Sequence, residues 1–191
     1  MKFRADSYYI KKVISGDGPS FACLVEKHKK MAFSIALKIT RNREDAEEIA
    51  QDAFIKVYNS LKDFRQKSKF STWLYKIVYN TAISRIRKKS LETEDIANEI
   101  TDKEIIIEAN SVVSSLKNEE QKKYLNIALD RLEETESLLL TLFYYNENSI
   151  EEISEITGIT SGNVKTKLFR ARKKMYIELE DILSFELKAI V

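Results

Sequence analysis

Residues 149–176 read SIEEISEITGITSGNVKTKLFRARKKMY, and their order predicts two helices around a tight turn. Ser149-Ile150-Glu151-Glu152 has the S-x-x-E form of a capping box, in which a hydroxyl and a carboxylate satisfy backbone donors at a helix start. The helix it opens runs through Ile156. Gly158 suits the left-handed conformation that ends a helix, Ile159 can plug into a core, and Thr160 can cap the next helix. Val164 and Leu168 lie four apart and face the core. A glycine-containing turn leading into a helix headed by small polar residues matches the helix-turn-helix arrangement. Residues 161–176 carry six Lys/Arg and no acid. Ser161, Asn163, Lys165, Thr166 and Arg170 are candidates for base edges in a duplex groove. Lys167, Arg172, Lys173 and Lys174 suit phosphates. Taken alone, the stretch also reads as an ordinary helical hairpin with a solvated basic face.

A second acid-free stretch lies at residues 64–89, FRQKSKFSTWLYKIVYNTAISRIRKK, with eight Lys/Arg and no Asp/Glu. Phe64, Phe70, Trp73, Tyr75 and Tyr79 interleave with the cations, a mixture suited to unstacked, single-stranded bases. Trp73 and Tyr75, two apart, do not share a helix face, so one enters a core while the other stays accessible. The plainer alternative is a core of Trp73, Leu74, Ile77 and Val78 with a solvated lysine rim. Ordinary surfaces intersperse both signs of charge, which weakens that alternative.

Four helical patterns fill the first ninety residues: about 7–14, 19–40, 43–61 and 71–89. Pro19 suits a first helical turn. Asn42 caps the third helix, whose Ala46, Ile49, Ala50, Ala53, Phe54, Val57 and Leu61 form one apolar stripe. Ser71 caps the fourth. Residues 91–110 then hold seven acids and one base without a sustained stripe, so 90–120 reads as a flexible acidic linker with a helical turn around 105–107. Beyond it, Tyr124, Leu125, Ala128, Leu129 and Leu132 form a stripe, and the very apolar 134–145 is the expected centre of a second domain. The fold class is therefore all-α: two small helical domains, residues 1–89 and 121–191, joined by that linker, the second containing the helix-turn-helix.

The 191 residues are 43% hydrophobic with a single proline, four glycines and a net charge of +2. Such a charge does not by itself mark a nucleic-acid binder. Cys23, the one cysteine, excludes an internal disulfide framework and reads as a small buried residue. His28, the one histidine, sits among Lys27, Lys29 and Lys30 and reads as a surface or half-buried residue rather than a metal ligand. No phosphate-loop, dinucleotide, zinc-protease or hydrolase motif is present. The acids of 44–48 do not converge on one point along a helix, so no metal site, catalytic set or cofactor is expected. No apolar run approaches the roughly 20 residues of a membrane span. The expectation is a soluble, cytoplasmic, non-enzymatic protein.

The ordered combination resembles bacterial RNA polymerase sigma factors of the extracytoplasmic-function type. Residues 45–54, DAEEIAQDAF, are similar to that family's core-binding helix. Residues 70–80, FSTWLYKIVYN, are similar to its promoter-melting helix, and 149–174 to its region 4 helix-turn-helix. The resemblance implies a protein that docks on core polymerase through the clamp and flap and directs it to promoters. Docking is implied for Asp45, Glu48, Gln51, Asp52, Phe54 and Ile55. Capture of a melted −10 base is implied for Arg65, Lys67, Lys69, Phe70, Trp73, Tyr75, Lys76, Tyr79 and Asn80, and reading of the −35 duplex for the helix from Ser161. A linker of at most ~100 Å when extended spans elements roughly 70 Å apart. An anti-sigma factor is a further implied partner; membrane insertion and a small-molecule substrate are not.

Three features depart from the family pattern. The family commonly has Leu-Pro entering the helix after Leu132; Glu133 stands here in place of the proline, implying a differently shaped turn. Tyr145-Asn146-Glu147-Asn148 is an unusual lead-in to the helix-turn-helix. The apolar tail 182–191 is expected to extend the last helix onto the domain or to meet a partner. The competing readings are a stand-alone helix-turn-helix regulator, which leaves 64–89 without a role, and a nucleic-acid enzyme, which lacks a catalytic set.

Overall fold

The computed structural model describes residues 4–92 and 119–190, and these contain helices and no strands. The body of the acidic linker, with the turn expected around 105–107, lies outside the described residues. The first half comprises α1 (Asp6–Ile14), α2 (Ser20–Thr40), α3 (Arg43–Ser60), a 3-10 turn (Leu61–Asp63) and α4 (Phe70–Glu92). The second comprises α5 (Glu119–Arg131), α6 (Glu134–Leu140), a π-helical turn (Thr141–Tyr145), α7 (Ile150–Thr157) and α8 (Ser161–Ile190).

Local chemistry sets the helix ends. Pro19 precedes α2 with φ −53°, a value its ring imposes. Arg41 ends α2 in the left-handed region at φ 50°, its N–H bonded to the Leu37 carbonyl. Asn42 then caps α3 by accepting the Asp45 N–H, with Glu44 and Asp45 at the positive end of the helix dipole. The expected Ser71 cap is corrected: α4 begins at Phe70, and the Lys69 carbonyl accepts the Trp73 N–H. Glu133 enters α6 at φ −62°. That is the angle a proline ring would fix.

In the first half, Leu24, Ala32 and Ile35 of α2 meet Ala46, Ile49, Ala53 and Val57 of α3 and Leu74, Val78 and Ala82 of α4 in one buried core. The alanines keep the helix axes close. Cys23 is half-buried rather than buried. His28 departs further from expectation, being only 6% exposed.

In the second half, α8 packs on α5, α6 and α7, burying Val164, Leu168, Ala171 and Met175 against Leu129, Leu139, Leu142, Ile153 and Ile156. The π-helical turn, closed by the Asn146 N–H bonding to the Thr141 carbonyl, offsets the apolar register. Tyr144 and Tyr145 therefore emerge at the surface, which corrects the expectation that all of 134–145 is buried. The two halves touch: α4 packs on α7 and α2 on α6.

Candidate nucleic-acid interface

The helix-turn-helix is built by its caps. The Ser149 hydroxyl accepts the Glu152 N–H at 3.2 Å and the Glu152 carboxylate accepts the Ser149 N–H at 2.9 Å. Gly158 ends α7 at φ 75°, where a side chain would be strained. The Thr160 hydroxyl accepts the Asn163 N–H. With Val164, Leu168 and Ala171 fully buried, α8 has one rotation open to it. That rotation exposes Asn163, Lys165, Thr166, Lys167 and Arg170, with Ser161 at the half-buried start.

The remaining cations of α8 are differently placed. Arg172 is half-buried, its guanidinium over the Phe143 and Tyr144 rings at 5.5 and 5.6 Å. The Lys174 ammonium is 2.7 Å from the Glu136 carboxylate, and Lys173 is half-buried. Arg172 and Lys174 thus tie α8 to its own domain.

At the start of α4 the aromatics divide into wall and surface. Phe70 and Tyr75 are buried, at 4% and 3% exposure, so both belong to the core in this arrangement. Trp73 is half-buried and stacks on Phe64, ring centroids 4.9 Å apart. Trp73, Lys76 and Asn80 follow at i, i+3 and i+7, and so share one helix face. Lys76 and Asn80 on that face are exposed, and Tyr79 beside it is half-buried. Arg65 and Lys67 project from the exposed loop before the helix. Lys69 is exposed, but its ammonium is 2.9 Å from Glu152 of α7.

Behind this face runs a polar chain. The His28 Nε2 is 3.2 Å from the Asp6 carboxylate, and its Nδ1 is 3.4 Å from the Tyr75 hydroxyl. Burial, with the nearby Asp6 charge, pushes the Tyr75 hydroxyl far above its ordinary range. Burial also works against ionisation of Asp6. Hydrogen bonds from His28 and Lys27 outweigh it and hold the carboxyl below the usual value. Burial raises Tyr79 as well.

On α3, Glu48, Gln51, Asp52 and Ile55 are exposed, Ile55 by 58%, while Asp45 is half-buried. Phe54 points inward at 8% exposure, which corrects its expected place on the docking face. Tyr58, 49% exposed, lies on the same helix face as Gln51 and Ile55. The spacing of Gln51, Ile55 and Tyr58, i, i+4 and i+7, was the signal that would have found it. Glu48 pairs with Arg85 of α4. Among the described residues no cluster of His, Cys, Asp or Glu is arranged to hold a metal ion, and no helix is long and apolar enough to cross a membrane.

The chain matches sigma-70 region 2 over residues 24–92 and sigma-70 region 4 over residues 123–175. It is 34% identical to the extracytoplasmic-function RNA polymerase sigma factor SigW of Bacillus subtilis, over 91% of this chain and 96% of that one. The chain belongs to the extracytoplasmic-function sigma factors of the sigma-70 family. This sigma factor is also 28% identical to the sigma-E factor of Escherichia coli K12, over 93% of this chain and 96% of that one. Among solved structures it shares the fold of CnrH, in complex with the cytosolic domain of CnrY, at TM-score 0.63 and 19% identity. That match covers 93% of this chain and 99% of CnrH. Bartonella quintana RpoE, in complex with the anti-sigma factor NepR, matches at TM-score 0.63 and 22% identity, over 84% of this chain and 96% of RpoE.

Proposed function

We propose that this sigma factor docks on core RNA polymerase through the exposed face of α3 and brings two DNA readers to one promoter. It performs no chemistry itself and acts in the cytoplasm, where polymerase and DNA are. The observation that carries the reading is the exposed row of Asn163, Lys165, Thr166, Lys167 and Arg170 on α8, held outward by the buried Val164 and Leu168. These residues take the −35 duplex, with Lys165 and Arg170 as the candidate base readers. Trp73, Lys76, Tyr79 and Asn80, with Arg65, Lys67 and Lys69 of the preceding loop, take the melted −10 strand. Phe70 and Tyr75 position that face from behind. Extruding a base costs a few kcal/mol, and stacking on an accessible aromatic returns ~1–3 kcal/mol per base.

On α3, Ile55 and Tyr58 supply an apolar centre flanked by Glu48, Gln51 and Asp52, suited to a partner helix with basic edges, such as the polymerase clamp. Residues 1–89 and 121–191 are the two working domains and 90–120 their linker. An anti-sigma factor covering the α3 and α8 faces completes the proposal. The stand-alone regulator is set aside, because the chain matches region 2 as well as region 4 of a sigma factor.

Transcription in vitro with purified core polymerase tests the reading: promoter-specific initiation is expected only when this chain is added. Duplex binding without any stimulation of initiation would overturn it. Lys76→Glu with Asn80→Ala should impair open-complex formation while leaving −35 duplex contact intact.

A further inference from the structure

A cleft bordered by α2, α4 and α5 carries polar chemistry that neither the DNA faces nor the docking face uses. Its volume is about 610 Å³, within the range of small-molecule sites. From α2 it is lined by Lys27, Lys30, Ser34 and Lys38. Their spacing, i, i+3, i+7 and i+11, puts all four on one helix face. At about 1.5 Å per residue the row is roughly 16 Å long. Ser71 of α4 and Asn126 of α5 line the same space, with the buried His28 and Tyr75 beside them.

The three lysines are unequally committed. Lys27 binds Asp6, and Lys38 binds Asp130. An ammonium has three N–H donors, so each keeps donors beyond its carboxylate. Among the described residues, the side chains of Lys30, Ser34, Ser71 and Asn126 have no hydrogen-bond or ion-pair partner. Asp6 is already held by Lys27 and His28. Three ammonium groups therefore face two carboxylates, and Lys30 is the cation left over. A surplus cation with uncommitted hydroxyls and an amide suits an anion rich in acceptor oxygens. Phosphate offers three such oxygens, and a lysine is a suitable point charge for it. Met31 and Leu129 give the cleft an apolar wall as well, which a bare inorganic ion leaves uncovered.

We infer that this cleft binds a phosphorylated small molecule of about the size of a nucleoside monophosphate. Lys30 takes the phosphate, together with the Ser34 hydroxyl and the spare donors of Lys27. These three fall within seven residues of α2, roughly 10 Å along the helix, a span their side chains can close. The organic part lies against Met31 and Leu129, with the Asn126 amide for its polar groups. The phosphate donors come from the first half, and Asn126 and Leu129 from the second, so neither half alone presents the whole set. The inference is independent of the promoter reading, since Lys30, Ser34 and Asn126 belong to none of the proposed DNA or polymerase contacts.

Titration calorimetry on the full-length chain at low salt tests it, with adenosine monophosphate and inorganic phosphate as the probes. Adenosine monophosphate should bind the wild-type chain at one site, and inorganic phosphate at the same site more weakly. Lys30→Glu should weaken adenosine monophosphate binding about tenfold or more. Asn126→Ala should weaken it severalfold without any change of charge. Lys62→Glu makes the same charge change at an exposed position outside the cleft and should leave the affinity as it is. Circular dichroism should show all three variants as helical as wild type. No binding of either probe to the wild-type chain overturns the site. Equal losses in Lys30→Glu and Lys62→Glu overturn it too, since attraction to the overall charge would then account for the binding. Adenosine monophosphate bound no more tightly than inorganic phosphate, or unaffected by Asn126→Ala, overturns the assignment to a phosphorylated organic molecule.

Discussion

Asp6 reaches across from α1 to anchor His28, and His28 in turn touches the Tyr75 hydroxyl inside α4. Because its carboxyl lies below the ordinary value near 3.9, Asp6 stabilises the fold fully above that pH. The contribution is lost as pH falls through the lowered value. Asp6→Asn should therefore cost about 1 kcal/mol at pH 7, after discounting for solvent screening. The gap between variant and wild type should close below pH 4, as read by denaturant unfolding at several pH values. At the proposed DNA face, Lys165→Ala or Arg170→Ala should weaken −35 binding by about 1–3 kcal/mol if the residue reads a base. Equal loss on every duplex sequence, with a shallower salt dependence, would make it a phosphate contact. His28 shows why single residues mislead. Its three lysine neighbours suggested a surface, yet it continues the i, i+4 row of Leu24 and Ala32, both fully buried. Phe54 is a similar case, since membership of the apolar stripe of α3 outweighs its place in the docking motif.

Helices whose ends are decided within four residues were legible, because a cap is a local bargain between one side chain and one backbone donor. Asn42, Ser149, Gly158 and Thr160 all take the expected roles. Ser71 does not, since α4 begins one residue earlier than its sequence signal. Ser149→Ala should destabilise the second half by about 1 kcal/mol, visible as a lower melting temperature by circular dichroism. The π-helical turn had no readable signal, because an inserted residue leaves composition unchanged while shifting every later side chain. At the other end of the domain, α8 runs on to Ile190 and buries Ile182 at 6% exposure. Ending the chain after Asp181 removes that contact, worth about 1.5–3 kcal/mol. The truncated chain should melt roughly 3 °C lower or more; an unchanged melting curve would show that the tail lends the domain nothing.

Charge explains the molecule as a whole better than it explains any helix. The net charge of +2 conceals a division: acid-free stretches lie at 64–89 and 161–176, while acids cluster in α3, in 91–110 and, as Asp130, Glu134 and Glu152, on the second half where it meets the first. The sequence displayed the two basic stretches, but not their relation, because Lys69 and Glu152 are 83 residues apart and no local pattern couples them. The same division makes a salt prediction for the free chain. Exposed ion pairs are worth about 0–1 kcal/mol each and weaken as the screening length falls from ~10 Å at 0.1 M to ~3 Å at 1 M salt. The close packing of α4 on α7 does not depend on screening. Raising salt from 0.1 to 1 M should therefore loosen the contact between the halves only in part, read as a small increase in the radius of gyration of the wild-type chain. Glu152→Gln with Asp130→Lys, which removes the Lys69–Glu152 and Lys38–Asp130 pairs, should lessen that response. A wild-type radius indifferent to salt would assign the contact between the halves to helix packing, and the pairs Lys38–Asp130, Arg41–Glu134 and Lys69–Glu152 would then orient the halves without holding them together.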